Sequence, residues 1–318
     1  MHQLRTITLL LLLSFTTYSK AQQTPPPETQ NSNPSQTSQP QITTPASNLA
    51  DALTQKTLTQ SELRDLVRRA MLNDQENYQK QKDLTHVERQ VVRHLDKDGK
   101  LKNTDSVTRE ILILYGRRME HILERDDKPL SPEEQRKEDA KFDKEVAKLQ
   151  NESPKDRQKR IEKFEEQSRK AREFVTEVAN CFNFKFEGEE MVNGRPAYVI
   201  SGEPRPDYHP KSREGKILSK TRGRIWIDIA ATQWVKLDAE FTDTMSFGWF
   251  LSRVRPGTRV FVEQHLFRDD VWVPSQIKFN LDARVGLFKQ LFQDIDITFR
   301  DWRKFSTDAK IIDYSEVK

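Results

Sequence analysis

From Phe182 onward, segment after segment alternates apolar and polar residues, and no other feature of the chain narrows its fold as much. A period of two puts successive side chains on opposite faces of a strand, so each segment has one dry side and one wet side. Candidate strands run over 181–189, 196–203, 217–229, 233–242, 246–254, 258–268, 271–285 and 290–301, with turns at Asn193-Gly194, Pro256-Gly257 and Asp269-Asp270. Connections this short make most neighbours antiparallel. The clearest strand sets Val273, Ile277, Phe279, Leu281, Ala283, Val285 and Leu287 on one side, and Gln276, Lys278, Asn280, Asp282 and Arg284 on the other.

Three further strands precede this region. Val87, Val91 and Leu95 alternate with polar neighbours, Asp96-Lys97-Asp98-Gly99-Lys100 supplies a turn, and Val107, Ile111, Ile113 and Tyr115 continue on the return strand. Met119, His121 and Leu123 mark the third. A single antiparallel sheet of about eleven strands exceeds the ~10 that an open twisted sheet reaches before it curls, splits or closes. The expected class is therefore α+β, with a curved antiparallel sheet that must bend around one oily face.

Two kinds of helix accompany the strands. Thr59-Gln60-Ser61-Glu62 has the spacing of a capping box, and Leu63, Leu66, Val67, Ala70 and Met71 follow on one face. Residues 131–180 read as a charged helical insertion between strands. Ser131-Pro132-Glu133-Glu134 opens one helix and Ser153-Pro154-Lys155-Asp156 opens the next, each with Ser as cap and Pro at the first helical position. The first has few apolar positions (Phe142, Val146, Leu149); the second has more (Ile161, Phe164, Ala171, Phe174, Val175, Val178). The second is expected to pack on the sheet, and the first to ride outside or cover an opening.

The N-terminal part has a different character. Arg5, the apolar run Ile7 to Phe15 and Ser19-Lys20-Ala21 compose a secretory leader over residues 1–21, too short in its apolar stretch for the ~20 residues of a membrane span. Cleavage after Ala21 leaves no Cys to carry a lipid. Residues 22–48 hold six of the fifteen prolines and one charge, at Glu28, and read as a disordered tether. One domain over 49–318 is expected, exported to the periplasm or the exterior and soluble once the leader is removed.

Composition excludes several classes. A single Cys rules out an internal disulfide framework and any Cys-only zinc site. It lies beside Phe182 and Val178 and reads as a buried thiol. Removing Arg5 and Lys20 takes the formal charge from +4 to +2, which does not suit a dedicated nucleic-acid binder. His86 and His94 share a strand face but lie roughly 27 Å apart along it, so they read as solvated or edge residues and not as a metal pair. The Asp96 turn lacks the bidentate acid of a calcium loop, because Val107 stands at its twelfth position. Asp294 and Asp296 alternate with Ile295 and Ile297 as wet-face residues. No nucleophile elbow, glycine-rich phosphate loop or H-E-x-x-H motif is present. No catalytic residue, metal or cofactor is expected, and the chain reads as a binding protein and not an enzyme.

Several stretches resemble the outer-membrane lipoprotein-sorting carriers of the LolA/LolB-like superfamily: HLDKDGKLK, ERDDKPLSPEEQ, GEEMVNGRPAYVISGEPRP, GRIWIDIAATQWVKLDAEF, SFGWFL and DDVWVPSQIKFNLDARV. The last four stretches carry the weight: a strand ending in Trp226-Ile227-Asp228 turns into a strand resembling QWVKLDAEF, and Val273-Pro274 after Trp272 resembles the next edge. The resemblance spans residues 85–305. It implies an incomplete, half-open barrel whose hydrophobic cavity shelters acyl chains, with helices plugging the open side. The charged insertion and the proline-rich tail depart from a minimal carrier.

The expected site is accordingly the dry inner wall: Ile225, Ile227, Val260, Val262, Ile277, Phe279, Leu281 and Val285. The expected partner is a lipid, a lipoprotein acyl chain or another hydrophobic ligand, with peripheral contact to a membrane. The alternative is an interaction or sensor module in which residues 131–180 dock an envelope protein and no ligand is carried.

Overall fold

The computed structural model describes residues 58–81, 84–114, 117–210, 212–247, 252–285 and 289–304. The expected leader and tether lie outside the described residues. In chain order the elements are α1 (Gln60–Lys80), β1 (Leu84–Leu95), β2 (Leu101–Leu114), β3 (Arg117–Arg125), β4 (Lys128–Pro129), α2 (Pro132–Gln150), α3 (Pro154–Cys181), β5 (Phe182–Val192) and β6 (Arg195–Pro204). There follow α4 (Arg213–Leu218), β7 (Thr221–Asp228), β8 (Trp234–Phe241), β9 (Met245–Phe247), β10 (Ser252–Val254), β11 (Arg259–Arg268), β12 (Val271–Val285) and β13 (Lys289–Lys304).

All strands join one antiparallel sheet in the order β4-β3-β2-β1-β13-β12-β11-β8-β7-β6-β5, with β10 on β12 and β9 on β10. The segment expected as one strand over 246–254 is two short ones, and the strand expected from 217 begins at Thr221 because Ser212 caps the short helix α4 first. The two ends of the sheet do not pair, so the barrel is incomplete. Laid flat, the ten strands from β3 to β5 would span roughly 43 Å at ~4.8 Å spacing. Residues from both of those strands nevertheless line one cavity, which requires the sheet to curl around it. Close approach of the backbones accompanies the curl: a Cβ on Gly223, which pairs with Gly202 and Ala239, would sit 2.4 Å from the Asp238 carbonyl oxygen.

Each helix starts where its cap dictates. The Glu62 N–H donates to Thr59 Oγ1 (3.3 Å) and the Thr59 N–H donates to Glu62 Oε2 (2.8 Å); Ser131 and Glu134 repeat the arrangement at α2. The first half of α1 buries Leu63, Leu66, Val67 and Ala70 against Phe182, Phe184, Ile200 and Ile227. Its second half continues the stripe with polar residues. Asn77 exchanges two 2.8 Å hydrogen bonds with the Trp272 backbone, Gln81 donates to the Trp272 carbonyl, and Asp74 accepts from Gln233 Nε2 at 3.0 Å. One face of one helix is thus greased at its start and stitched at its end.

Both rims of the sheet are occupied. β4 is two residues long and ends in Pro129, while on β5 the Gln60 side-chain amide accepts from the Phe184 N–H (3.1 Å) and donates to the Phe184 carbonyl.

Candidate functional site

The concave side of the sheet encloses a cavity of about 230 Å³. Met71 of α1 and Phe174 and Val178 of α3 cover it; Ile200, Ile225, Leu237, Val262 and Ile277 form its wall. The wall is one cross-strand row, because Ile200, Ile225, Leu237, Val262, Ile277 and Ile297 are successive register partners across β6, β7, β8, β11, β12 and β13. Short strands of alternating pattern place such residues side by side, and Ile225 and Leu237 stay half-buried, open to the hollow.

Of the eight wall residues expected from sequence, Ile225, Val262 and Ile277 line this cavity. Four others have the dry environment the alternation gave them but are packed away from it. Ile227 lies in the cluster under α1, Val260 and Phe279 pack with Val273, Ile297 and Phe299, and Leu281 packs with Ile217, Phe241, Met245 and Val254. The physical reason is coverage: α4, β9 and β10 close one end of the inner wall, and α1 closes another. Val285 ends β12 opposite Ser252 and Lys289, and its side chain lies outside the described residues.

One end of the cavity is not apolar. His86 and Glu88 of β1, Arg118 of β3 and Trp302 of β13 line it. Glu88, with its side chain 5% exposed, accepts from Arg118 Nη2 at 2.8 Å and has Arg109 Nη1 at 3.6 Å. Arg109 also donates to Gln90 Oε1 (3.0 Å), and Glu120, 43% exposed, approaches both guanidiniums from the wetter side. The His86 ring stacks on Trp302 with centroids 4.0 Å apart and tilts toward Phe299 at 5.6 Å. Phe299 and Trp302 both reach the cavity because Asp301, with φ +56°, bulges the strand between them.

Burial first, and the Arg118 charge second, push the His86 imidazole down to about 3, so the ring is neutral at ordinary pH. Burial likewise lowers the Arg118 guanidinium from its usual value against the pull of Glu88. Among the described residues, His86 Nδ1 and Trp302 Nε1 are buried without a hydrogen-bond partner.

These residues correct the sequence reading at two points. His86 is not solvated; it is 2% exposed and faces the cavity. On β1 the alternation also runs opposite to its usual sense: Glu88 and Gln90 pair with the inward-facing Phe299 and Ile297, whereas Val87 and Val91 pair with Arg300 and Asp296. His94 is instead held by Asp105 (2.8 Å) and Gln293 (3.0 Å).

Other residues noted in the sequence have structural roles. Asp228 of the W-I-D motif is buried, binds Arg195 through both oxygens (2.6 and 3.1 Å) and accepts from the Ala231 N–H at 2.7 Å, fixing the β7–β8 turn. Asp96 accepts from the Asp98 and Lys100 N–H groups, both at 2.9 Å, as a hairpin turn does. Cys181 is buried, and that burial raises its thiol to about 11. In the insertion, α2 packs Val146 and Leu149 on Leu112 and Met119. Met119 and Arg118 are adjacent in β3 and face opposite ways, so α2 sits on the outer side of the sheet, away from the cavity.

No family model matches the chain, and no curated protein sequence matches it. Among solved structures, the chain is similar to a DUF1329 family protein from Desulfovibrio piger, at 11% identity over 78% of this chain and 93% of that one, with a TM-score of 0.26. It is similar to a domain described as an outer-membrane lipoprotein-sorting protein from Vibrio parahaemolyticus, at 11% identity over 77% and 95%, with a TM-score of 0.31. It is also similar to a LolA superfamily protein from Nitrosomonas europaea, at 8% identity over 76% and 93%, with a TM-score of 0.24. Among the described residues no helix is long and apolar enough to cross a membrane.

Proposed function

We propose that this protein is a non-enzymatic envelope binding protein that holds a hydrophobic ligand, a lipid or the acyl chain of a lipoprotein, in the hollow of its half-barrel. The observation that carries this reading is the cavity itself: about 230 Å³, walled by aliphatic side chains from five neighbouring strands and covered by two helices. That volume exceeds the ~150 Å³ cavities that accept benzene and stay dry without it. Burying a chain there is worth ~0.8 kcal/mol per CH₂, so shape and dryness suffice and no covalent chemistry is needed. The leader read from residues 1–21 supports an envelope setting for such a ligand, with peripheral membrane contact at loading or release.

Extraction of the purified full chain into organic solvent, followed by mass spectrometry, tests the reading directly. A reproducible amphiphile is expected. Titration with an apolar fluorescent probe gives the second measure, and filling the wall with Ile225→Trp or Leu237→Trp is expected to weaken the probe by about tenfold or more, the value of one or two lost methylene-scale contacts. An empty protein that also ignores the probe sinks the proposal.

The outer position of α2 supports one further use of the insertion. Because α2 contributes nothing to the cavity lining, its exposed charges, among them Arg136 and Lys144, are free to dock an envelope protein. Reversing those two charges separates the roles: partner capture is lost and probe binding is retained if α2 docks, whereas loss of probe binding makes it part of the lid.

A further inference from the structure

We propose that the polar end of the cavity is a subsite for an acidic oxygen head, a carboxylate or a phosphate, so that the ligand is an anionic single-chain amphiphile seated with its head against His86, Trp302 and Arg118. This deepens the binding reading above and rests on it. The hydrogen-bond inventory of the lining leads to it. Trp302 Nε1 is a donor and nothing else, it is on a residue 8% exposed, and among the described residues it has no partner. His86 Nδ1 is equally unpartnered on a residue 2% exposed, and a neutral imidazole can place its proton on that nitrogen. Arg118 brings a guanidinium, again donors only, to the same end.

Buried polar groups are ordinarily paired, and two orphans on stacked rings facing one hollow describe a place for an acceptor. An oxyanion supplies several lone pairs at once and shortens each bond it accepts. The charge balance is compatible. At this end Glu88 lies between two guanidiniums, Arg109 and Arg118, while Glu120 approaches from the exposed side; the other carboxylate of the lining, Asp74 on α1, accepts from Gln233 and Gln264. Opposite this end the wall is aliphatic from Ile277 to Ile200, which orients a chain tail-away.

Displacement of a bound apolar probe from the full-length protein tests the subsite, with palmitate, hexadecyl phosphate and methyl palmitate as competitors. One of the two acids is expected to displace at about tenfold lower concentration than the methyl ester, the size of one or two charge-assisted hydrogen bonds. The stronger acid identifies the head as carboxylate or phosphate. Trp302→Phe keeps the ring and removes the N–H, and His86→Phe keeps the stack and removes Nδ1; either is expected to shrink the acid-to-ester ratio by about threefold or more. Equal displacement by acids and ester, or a ratio that neither variant moves, overturns the subsite while the cavity reading stands. Failure of all three competitors and of the probe removes both.

Discussion

The two ends of the cavity are built on opposite terms. Around β7, β8, β11 and β12 the central row of the inner wall, Ile225, Leu237, Val262 and Ile277, is aliphatic and its stability comes from area removed from water, a force that needs no particular geometry. Around β1 and β3 the same wall carries a carboxylate, two guanidiniums and an imidazole, which persist there only because each ionised group faces an opposite charge. The difference teaches that an inner face can change its chemistry along a single sheet without any change in backbone pattern. Substitutions at the two ends should therefore fail in different ways.

The largest effect is expected from Glu88→Ala. It strands Arg118 and Arg109 beside a dry hollow, and breaking a buried pair from one side costs about 3–5 kcal/mol, read as a lower urea midpoint. A loss under ~1 kcal/mol would mean that this end is effectively wet. Next comes Ile277→Ala on the aliphatic wall, at about 2–4 kcal/mol by the same measurement, with the ΔΔG insensitive to salt. A salt-dependent loss there would erase the contrast.

The titration of His86 sharpens the comparison further. Its folded value near 3 lies below the ordinary 6.5, so below pH 6.5 the unfolded chain binds a proton that the folded protein refuses. Stability therefore falls as pH drops through that window, by about 1.4 kcal/mol per pH unit from this group, and His86→Phe should flatten the slope by that amount. Denaturant titrations across the window, wild type against variant, provide the check. The smallest effect belongs to charge left in water: breaking the Arg169–Glu173 pair on α3, whose side chains are 58% and 62% exposed, should cost under ~0.5 kcal/mol and vanish with added salt.

Much of the fold was legible because its local signals agree with one another. Thr59, Ser131 and Ser153 cap helices where the hydroxyl-to-acid spacing said they would, and the β12 alternation assigned Ile277, Phe279 and Leu281 to one dry side. Alternation reports which residues share a face; it does not report what covers that face. Hence Leu281 and Ile277 looked equivalent, although α4 and β9–β10 seal the first and leave the second on the hollow.

The polar end was illegible for a stronger reason. On β1 the valines suggested the inner side, and the register with β13 turned His86, Glu88 and Gln90 inward instead. Only long-range pairing decides that, since Arg118 reaches Glu88 from a strand thirty residues on. Trp302 joined them through the bulge at Asp301, a one-residue shift that strict alternation hides. The polar second half of α1 drew no expectation, because the inward role of Asp74, Asn77 and Gln81 shows only once their partners in the β7–β8 turn, on β11 and on β12 are known.

The treatment of the sheet's two rims has a consequence for the open architecture. An unclosed wall ordinarily offers bare backbone at its margins, from which a neighbouring chain could be recruited strand upon strand into a growing fibril. Here a two-residue strand ending in proline blunts one margin and a glutamine side chain occupies backbone groups at the other. The half-barrel can stay unclosed without also advertising a template to its own kind.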